Sequence, residues 1–197
     1  MKRFPLLFTL LSLLLLCTPV QGRGKAQKPL MAYVDSADNS FRWDVVDSIA
    51  RDGATAYRLR MVSQTWRGFP WIHEMVVVVP PEVKHRDKVT GEPNYHGWDE
   101  QIVQLMAHTA LHTDAVTAVL WQVPRQPLYD NLYEDALMSY TFHQYQNTGD
   151  RSWPLMFPMV KSVVRAMDAV EQFAAAKRLP CSRGRFVING ASKRGWT

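Results

Sequence analysis

Phe186-Val187-Ile188-Asn189-Gly190-Ala191-Ser192-Lys193-Arg194-Gly195 is where this sequence commits to a fold. Phe186 to Ile188 reads as a short buried strand, and it runs straight into a glycine-flanked serine at the start of a helix. A serine two residues after a glycine, at a turn between buried strand and helix, has the geometry of a nucleophile elbow. The tight turn lifts the hydroxyl above the sheet, and only small neighbours let the backbone pass close. Ser192 is the candidate nucleophile. The N–H of Lys193 points where a tetrahedral oxyanion would form, and the helix start adds positive potential there. The usual pattern has glycine two residues after the serine; here Arg194 stands there and Gly195 follows, so the Arg194 side chain is expected to turn outward. Lys193 and Arg194 at a cleft would suit an anionic or carboxylate-bearing substrate, which makes Arg194 a candidate substrate-binding residue. Two plainer readings stay open: a strand-to-helix turn with a serine cap, and a basic pair turned to solvent.

Upstream, strand-like and helix-like patterns alternate. Ala56 to Gln64 alternates polar and apolar residues, and His73 to Val79 is β-branched and ends at Pro80-Pro81; the two read as an antiparallel pair joined through Trp66 to Trp71. Asp99 can cap a helix carrying Ile102, Leu105, Met106 and Ala110 at helical spacing, followed by an apolar strand from Ala115 to Val123 stopped by Pro124. Further helices are expected from Glu134 to Gln146, ended by Gly149, and from Met159 to about Lys177, with Val160, Val163, Val164, Met167, Val170 and Ala174 on one face. Alternation of this kind predicts an α/β fold with a mostly parallel sheet and crossover helices.

The chain has 197 residues, 47% hydrophobic and 21% charged, a composition that excludes disordered and collagen-like classes and fits one domain. Residues 1–22 read as a secretory signal peptide: Lys2-Arg3, an apolar run to Cys17, and a small-residue cleavage site at Gly22 before Arg23. A membrane anchor is the alternative, but the run is short for a bilayer, and no second stretch of eighteen apolar residues follows, so no stable membrane insertion is expected. The expected location is secreted or periplasmic. Residues 23–40 read as a polar leader and 41–197 as the domain. The formal charge of +5 loses two positive charges with Lys2 and Arg3, leaving a weak basic bias. Cleavage also leaves Cys181 as the single cysteine, expected as a buried, inert thiol.

Other constellations carry less. His108 and His112 have i, i+4 spacing, but Thr109 stands where a zinc-protease glutamate would be and no third ligand is evident, so neither metal nor cofactor is expected. Lys84-His85-Arg86-Asp87-Lys88 reads as a solvated loop, and no aromatic-basic interleaving accompanies it, so nucleic acid is not an expected partner. Trp66, Trp71, Trp98 and Trp121 read as core packing, with a substrate cleft as the alternative.

The run Gly190 to Thr197, G-A-S-K-R-G-W-T, resembles the signature of the PhoPQ-activated pathogenicity-related protein family. Ser63-Gln64-Thr65-Trp66, Trp71-Ile72-His73, Gln122 to Leu128, Glu134 to Leu137 with Ser139-Tyr140-Thr141, and Pro158 to Ser162 with Arg165-Ala166-Met167 agree in the same order, so the resemblance spans roughly residues 30–197. It implies an α/β-hydrolase-like fold and an exported protein under a two-component regulator linked to virulence. It also implies a noncatalytic alternative, since some of the wider family are secreted growth repressors.

In this fold a serine hydrolase orders its triad Ser, then Asp or Glu, then His, and the sequence ends five residues after Ser192. His73, His85, His96 and His143 lie upstream, in the wrong order, and read as half-exposed or core-edge residues. Between Val79 and Asp99 the chain is polar nearly throughout, where an apolar strand and a Gly-rich oxyanion loop are expected, so either the loop is unusual or a sheet strand is missing. The expectation is therefore an incomplete, inactive portion of a serine hydrolase acting on an ester or amide in a small-molecule or peptide substrate. The alternative is a noncatalytic secreted binding or signalling protein on the same scaffold.

Overall fold

The computed structural model describes residues 28–92 and 99–196. The expected signal peptide, His96, Gly97 and Trp98 lie outside the described residues. The elements in chain order are α1 (Pro29–Val34), β1 (Arg42–Arg51), β2 (Ala54–Trp66), β3 (Phe69–Val79), β4 (His85–Glu92), α2 (Glu100–Thr113), β5 (Ala115–Leu120), α3 (Glu134–Thr148), α4 (Met156–Ala176) and β6 (Phe186–Gly190), ending in a 3-10 turn, Ser192–Trp196. The six strands form one sheet in the order β1-β2-β3-β5-β4-β6. β1, β2, β3 and β5 pair antiparallel in succession, whereas β5, β4 and β6 run parallel, so the sheet is mixed rather than mostly parallel, and its parallel part is the end that leads into the elbow.

Helices cover both faces. Leu59, Met61, Met75, Val77, Val116 and Ala118 meet α4 through Met159, Ala166, Val170 and Phe173, while Ala54, Ala56, Val76, Val78, Val119 and Trp121 meet α2 through Val103, Ala107 and Ala110. Strict alternation along β2 and β3 divides the two sets. β5 is buried at every position because helices cover both of its faces, which its unbroken apolar run anticipated. Asp99 caps α2 as expected, its Oδ1 accepting the N–H groups of Gln101 and Ile102 at 3.0 and 3.3 Å. Gly149 ends α3 at φ 69°.

The hairpin connections are tighter than expected. Asp52-Gly53, with φ of 49° and 96°, and Arg67-Gly68, with 52° and 81°, each make a two-residue turn with both centres left-handed, which matches strand twist. Phe69, Pro70 and Trp71 therefore belong to β3, and an unexpected strand, β1, precedes Asp52. The second part of the leader folds as α1 and lies on α4, where the Tyr33 and Phe157 rings meet at a tilt, 5.8 Å apart. On α4, Met159, Ser162, Ala166, Ala169 and Phe173 form the buried stripe, and Val160, Val164 and Met167 are half-buried on its flank. The small residues let the helix sit closer to the sheet than the larger ones would.

The strand read as missing is present. β4 occupies the polar segment after Pro81 and lies between β5 and β6, so Lys88, expected in a solvated loop, is buried. Its side-chain nitrogen donates to the carbonyl of Ser182 and lies 4.5 Å from the centre of the Phe186 ring, so its polar end has partners inside the sheet. β6, expected to be buried, is instead exposed at Val187 and Ile188, because among the described residues no strand or helix covers its far side.

Candidate active site

β6 delivers the elbow at the C-terminal end of the parallel strands. Ser192 is exposed and has φ 56°, a left-handed backbone that costs a non-glycine residue about 1 kcal/mol. No backbone N–H is bonded to Ser192 Oγ among the described residues, and its backbone is not the extended conformation of a helix cap. A Cβ on Gly190 would stand 2.5 Å from the Arg194 carbonyl oxygen, and one on Gly195 would stand 3.0 Å from the Gly190 carbonyl oxygen. The two glycines therefore let the chain cross itself, with Arg194 N–H donating to Ala191 O at 3.1 Å to close the turn. The glycine displaced to position 195 serves that crossing.

Arg194 does not point outward. It is buried, with Nε donating to Val123 O at 2.8 Å and Nη2 bound to Glu134 Oε1 at 2.6 Å. Lys193 Nζ lies 3.0 Å from both Glu134 Oε2 and Asp135 Oδ1, so the pair expected at solvent or in a cleft is turned onto the start of α3. Gln126 completes the knot: its Oε1 accepts Glu134 N–H at 2.9 Å and its Nε2 donates to Glu134 Oε1 at 3.0 Å. Burial pushes the Glu134 carboxyl up, but its bonds from Arg194, Lys193 and Gln126 outweigh that and hold it below the usual range. Asp135 and Glu134 in turn raise Lys193. Glu134, named above only as a helix start and within the family resemblance, has a role that no local pattern reveals, since its Arg194 partner lies 60 positions away.

The upstream histidines sit elsewhere. His73, expected at the core edge, is fully buried, with Nε2 2.9 Å from Ser63 Oγ and Nδ1 3.0 Å from Trp121 O. Since Nδ1 must donate to that carbonyl, Nε2 accepts from Ser63, and burial pushes the ring's pKa down to about 4. Ser63, Gln64 and Ser162 continue this buried network. His85 and His143 are exposed. His108 and His112 stack at 3.8 Å with His112 Nδ1 bonded to His108 O, and no metal-holding group of three or more His, Cys, Asp or Glu occurs among the described residues. Trp66, Trp71 and Trp121 are buried in the core, Trp66 standing edge-on to Trp71 at 5.9 Å. Cys181 is half-buried, its thiol pushed up by burial. No helix among the described residues is long and apolar enough to cross a membrane.

The fold has counterparts among solved structures. The S-formylglutathione hydrolase of Agrobacterium tumefaciens superposes with a TM-score of 0.51 at 16% identity over 77% of this chain and 54% of that one. Acetyl xylan esterase 1 of a Thermoanaerobacterium species gives 0.51 at 14% identity over 85% and 50%. At such identities the likeness is one of fold, and that fold is the α/β-hydrolase fold. In sequence, the chain is 34% identical over 187 residues to autocrine proliferation repressor protein A of Dictyostelium discoideum, spanning 86% of this chain but 37% of that protein. The profile of the PhoPQ-activated pathogenicity-related proteins matches residues 30–197, and it is to this family that the chain belongs.

Proposed function

We propose that this chain is the nucleophile-bearing part of an exported serine hydrolase that acts on an ester or amide in a small-molecule or peptide substrate. The observation that carries the reading is the φ of 56° at exposed Ser192, on the tip of a turn that two glycines make possible. Ser192 Oγ attacks the acyl carbon and the Lys193 N–H holds the oxyanion. Arg194, tied to Val123 and Glu134, fixes the elbow from beneath and leaves substrate contacts to others. His73 cannot serve as base, because both ring nitrogens are committed inside the core. An Asp and a His would be needed to activate Ser192 as a nucleophile.

The test is fluorophosphonate labelling. A longer form of the protein with an Asp and a later His should label at Ser192, its Ser192→Ala variant should not, and the 197-residue chain should label no faster than that variant. A folded longer form that stays unlabelled sinks the enzyme reading. A noncatalytic exported signalling role is the second reading, favoured by the relative named for repressing proliferation. Export by residues 1–22 is checked by N-terminal sequencing of secreted protein, which should begin at Arg23.

A further inference from the structure

On the α2 side of the sheet the face changes character along β2 and β3. Ala54, Ala56, Val76 and Val78 lie under α2, and the same period-two rows continue past it as Arg58 and Arg60 on β2 and Glu74 and Ile72 on β3. There they line a cavity of about 480 Å3, whose other wall is the segment after β5, with Gln122 and Arg125. That wall is fixed: Gln122 Oε1 accepts Glu74 N–H at 2.7 Å, and Arg125 Nε donates to Pro70 O at 3.1 Å. Arg58 neutralises Glu74 at 2.6 Å, so three guanidinium groups face one carboxylate. Asp44 lies opposite Arg60 in the β1 register but forms no ion pair with it among the described residues.

We infer that this cavity is a binding site for an oxyanion, a carboxylate or phosphate group, held by Arg60 and Arg125. Arginine forks match such groups in plane and number, and a concave wall concentrates their field. The Gln122 side chain, its oxygen already committed to Glu74, presents its amide N–H groups as further donors. The site lies on the elbow's rim of the sheet: Asn189, Gly91, Val119, Val76 and Arg58 form one row across the strands, a span of roughly 19 Å at the usual strand spacing. Val123, whose carbonyl Arg194 holds, belongs to the same wall segment. The inference does not depend on Ser192 being catalytic.

Calorimetric titration of the chain with inorganic phosphate and, separately, with succinate tests it at constant ionic strength set by chloride. Saturable binding of at least one is expected, and which one binds tells phosphate from carboxylate. Arg125→Gln and Arg60→Gln should each weaken it about tenfold, Arg125→Lys less, and Ser192→Ala not at all. Arg60 is exposed, so its variant reads out even if Arg125→Gln fails to fold. Heats that do not saturate, or that are equal in wild type and Arg60→Gln, mark an adventitious ion only and overturn the inference.

Discussion

At Ser192 a non-glycine residue is held left-handed, and the surrounding turn supplies the energy. Ser192→Gly removes that strain and should raise the urea midpoint by the equivalent of about 1 kcal/mol while abolishing any labelling. An unchanged or lowered midpoint would show the turn to be relaxed with serine in place. His73 makes a prediction of the opposite kind. Its pKa is about 4 in the fold against 6.5 unfolded, so below pH 6.5 the unfolded chain takes a proton that the folded chain refuses. Stability is full above pH 6.5 and should fall by about 3 kcal/mol as the pH drops to about 4, at ~1.4 kcal/mol per pH unit. Asp150, held down to about 2 by Ser152 N–H and Arg67, adds its own loss only below the ordinary 3.8, so the two windows separate. Denaturant midpoints measured from pH 7 to 5, above the range in which the lowered Glu134 and Asp150 lose their contributions, should slope in the wild type and be nearly flat in His73→Asn. Ser192 was legible because the elbow is written in six consecutive residues. The burial of His73 was not, since nothing beside it in sequence tells that Ser63 and the Trp121 carbonyl will take its two nitrogens.

Among elements, the crossing of β6 and its turn sets the strictest limit. Gly190→Ala puts a Cβ 2.5 Å from backbone that cannot swing away, whereas Gly195→Ala meets backbone at 3.0 Å, so both should destabilise, the first by about 2 kcal/mol or more and the second by less. Thermal melts that rank them the other way would mean the turn opens elsewhere. The tether to α3 is a mostly buried ion pair. Glu134→Gln should cost about 3 kcal/mol by leaving Arg194 without its carboxylate, and a double-mutant cycle with Arg194→Met should recover much of it. Additive losses would show that the pair does not couple. The two-residue turn before β2 was in plain view, since Asp-Gly is the strongest hairpin signal in the chain, and reading it would have revealed β1. β4 had no such mark, because its polar residues are compatible with burial only once Ser182 and Phe186 stand beside Lys88.

For the whole molecule, the uncovered side of β6 has a measurable consequence. Val187 and Ile188 are exposed on a strand whose outer edge has no pairing partner among the described residues, so the 197-residue chain should self-associate at micromolar concentration, and Ile188→Lys should shift light scattering toward monomer. A wild-type chain that stays monomeric would show the edge to be protected.

The sequence by itself determined the alternation of strands and helices, the cap at Asp99, the stop at Gly149 and the serine at the turn, because each is set by residues within one or two turns of chain. Only the tertiary structure decided that a polar segment would be a central strand, that Arg194 would point inward, and that three arginines would share one cavity. A buried charge is tolerable only with a partner, and here those partners come from distant parts of the chain brought together by the sheet.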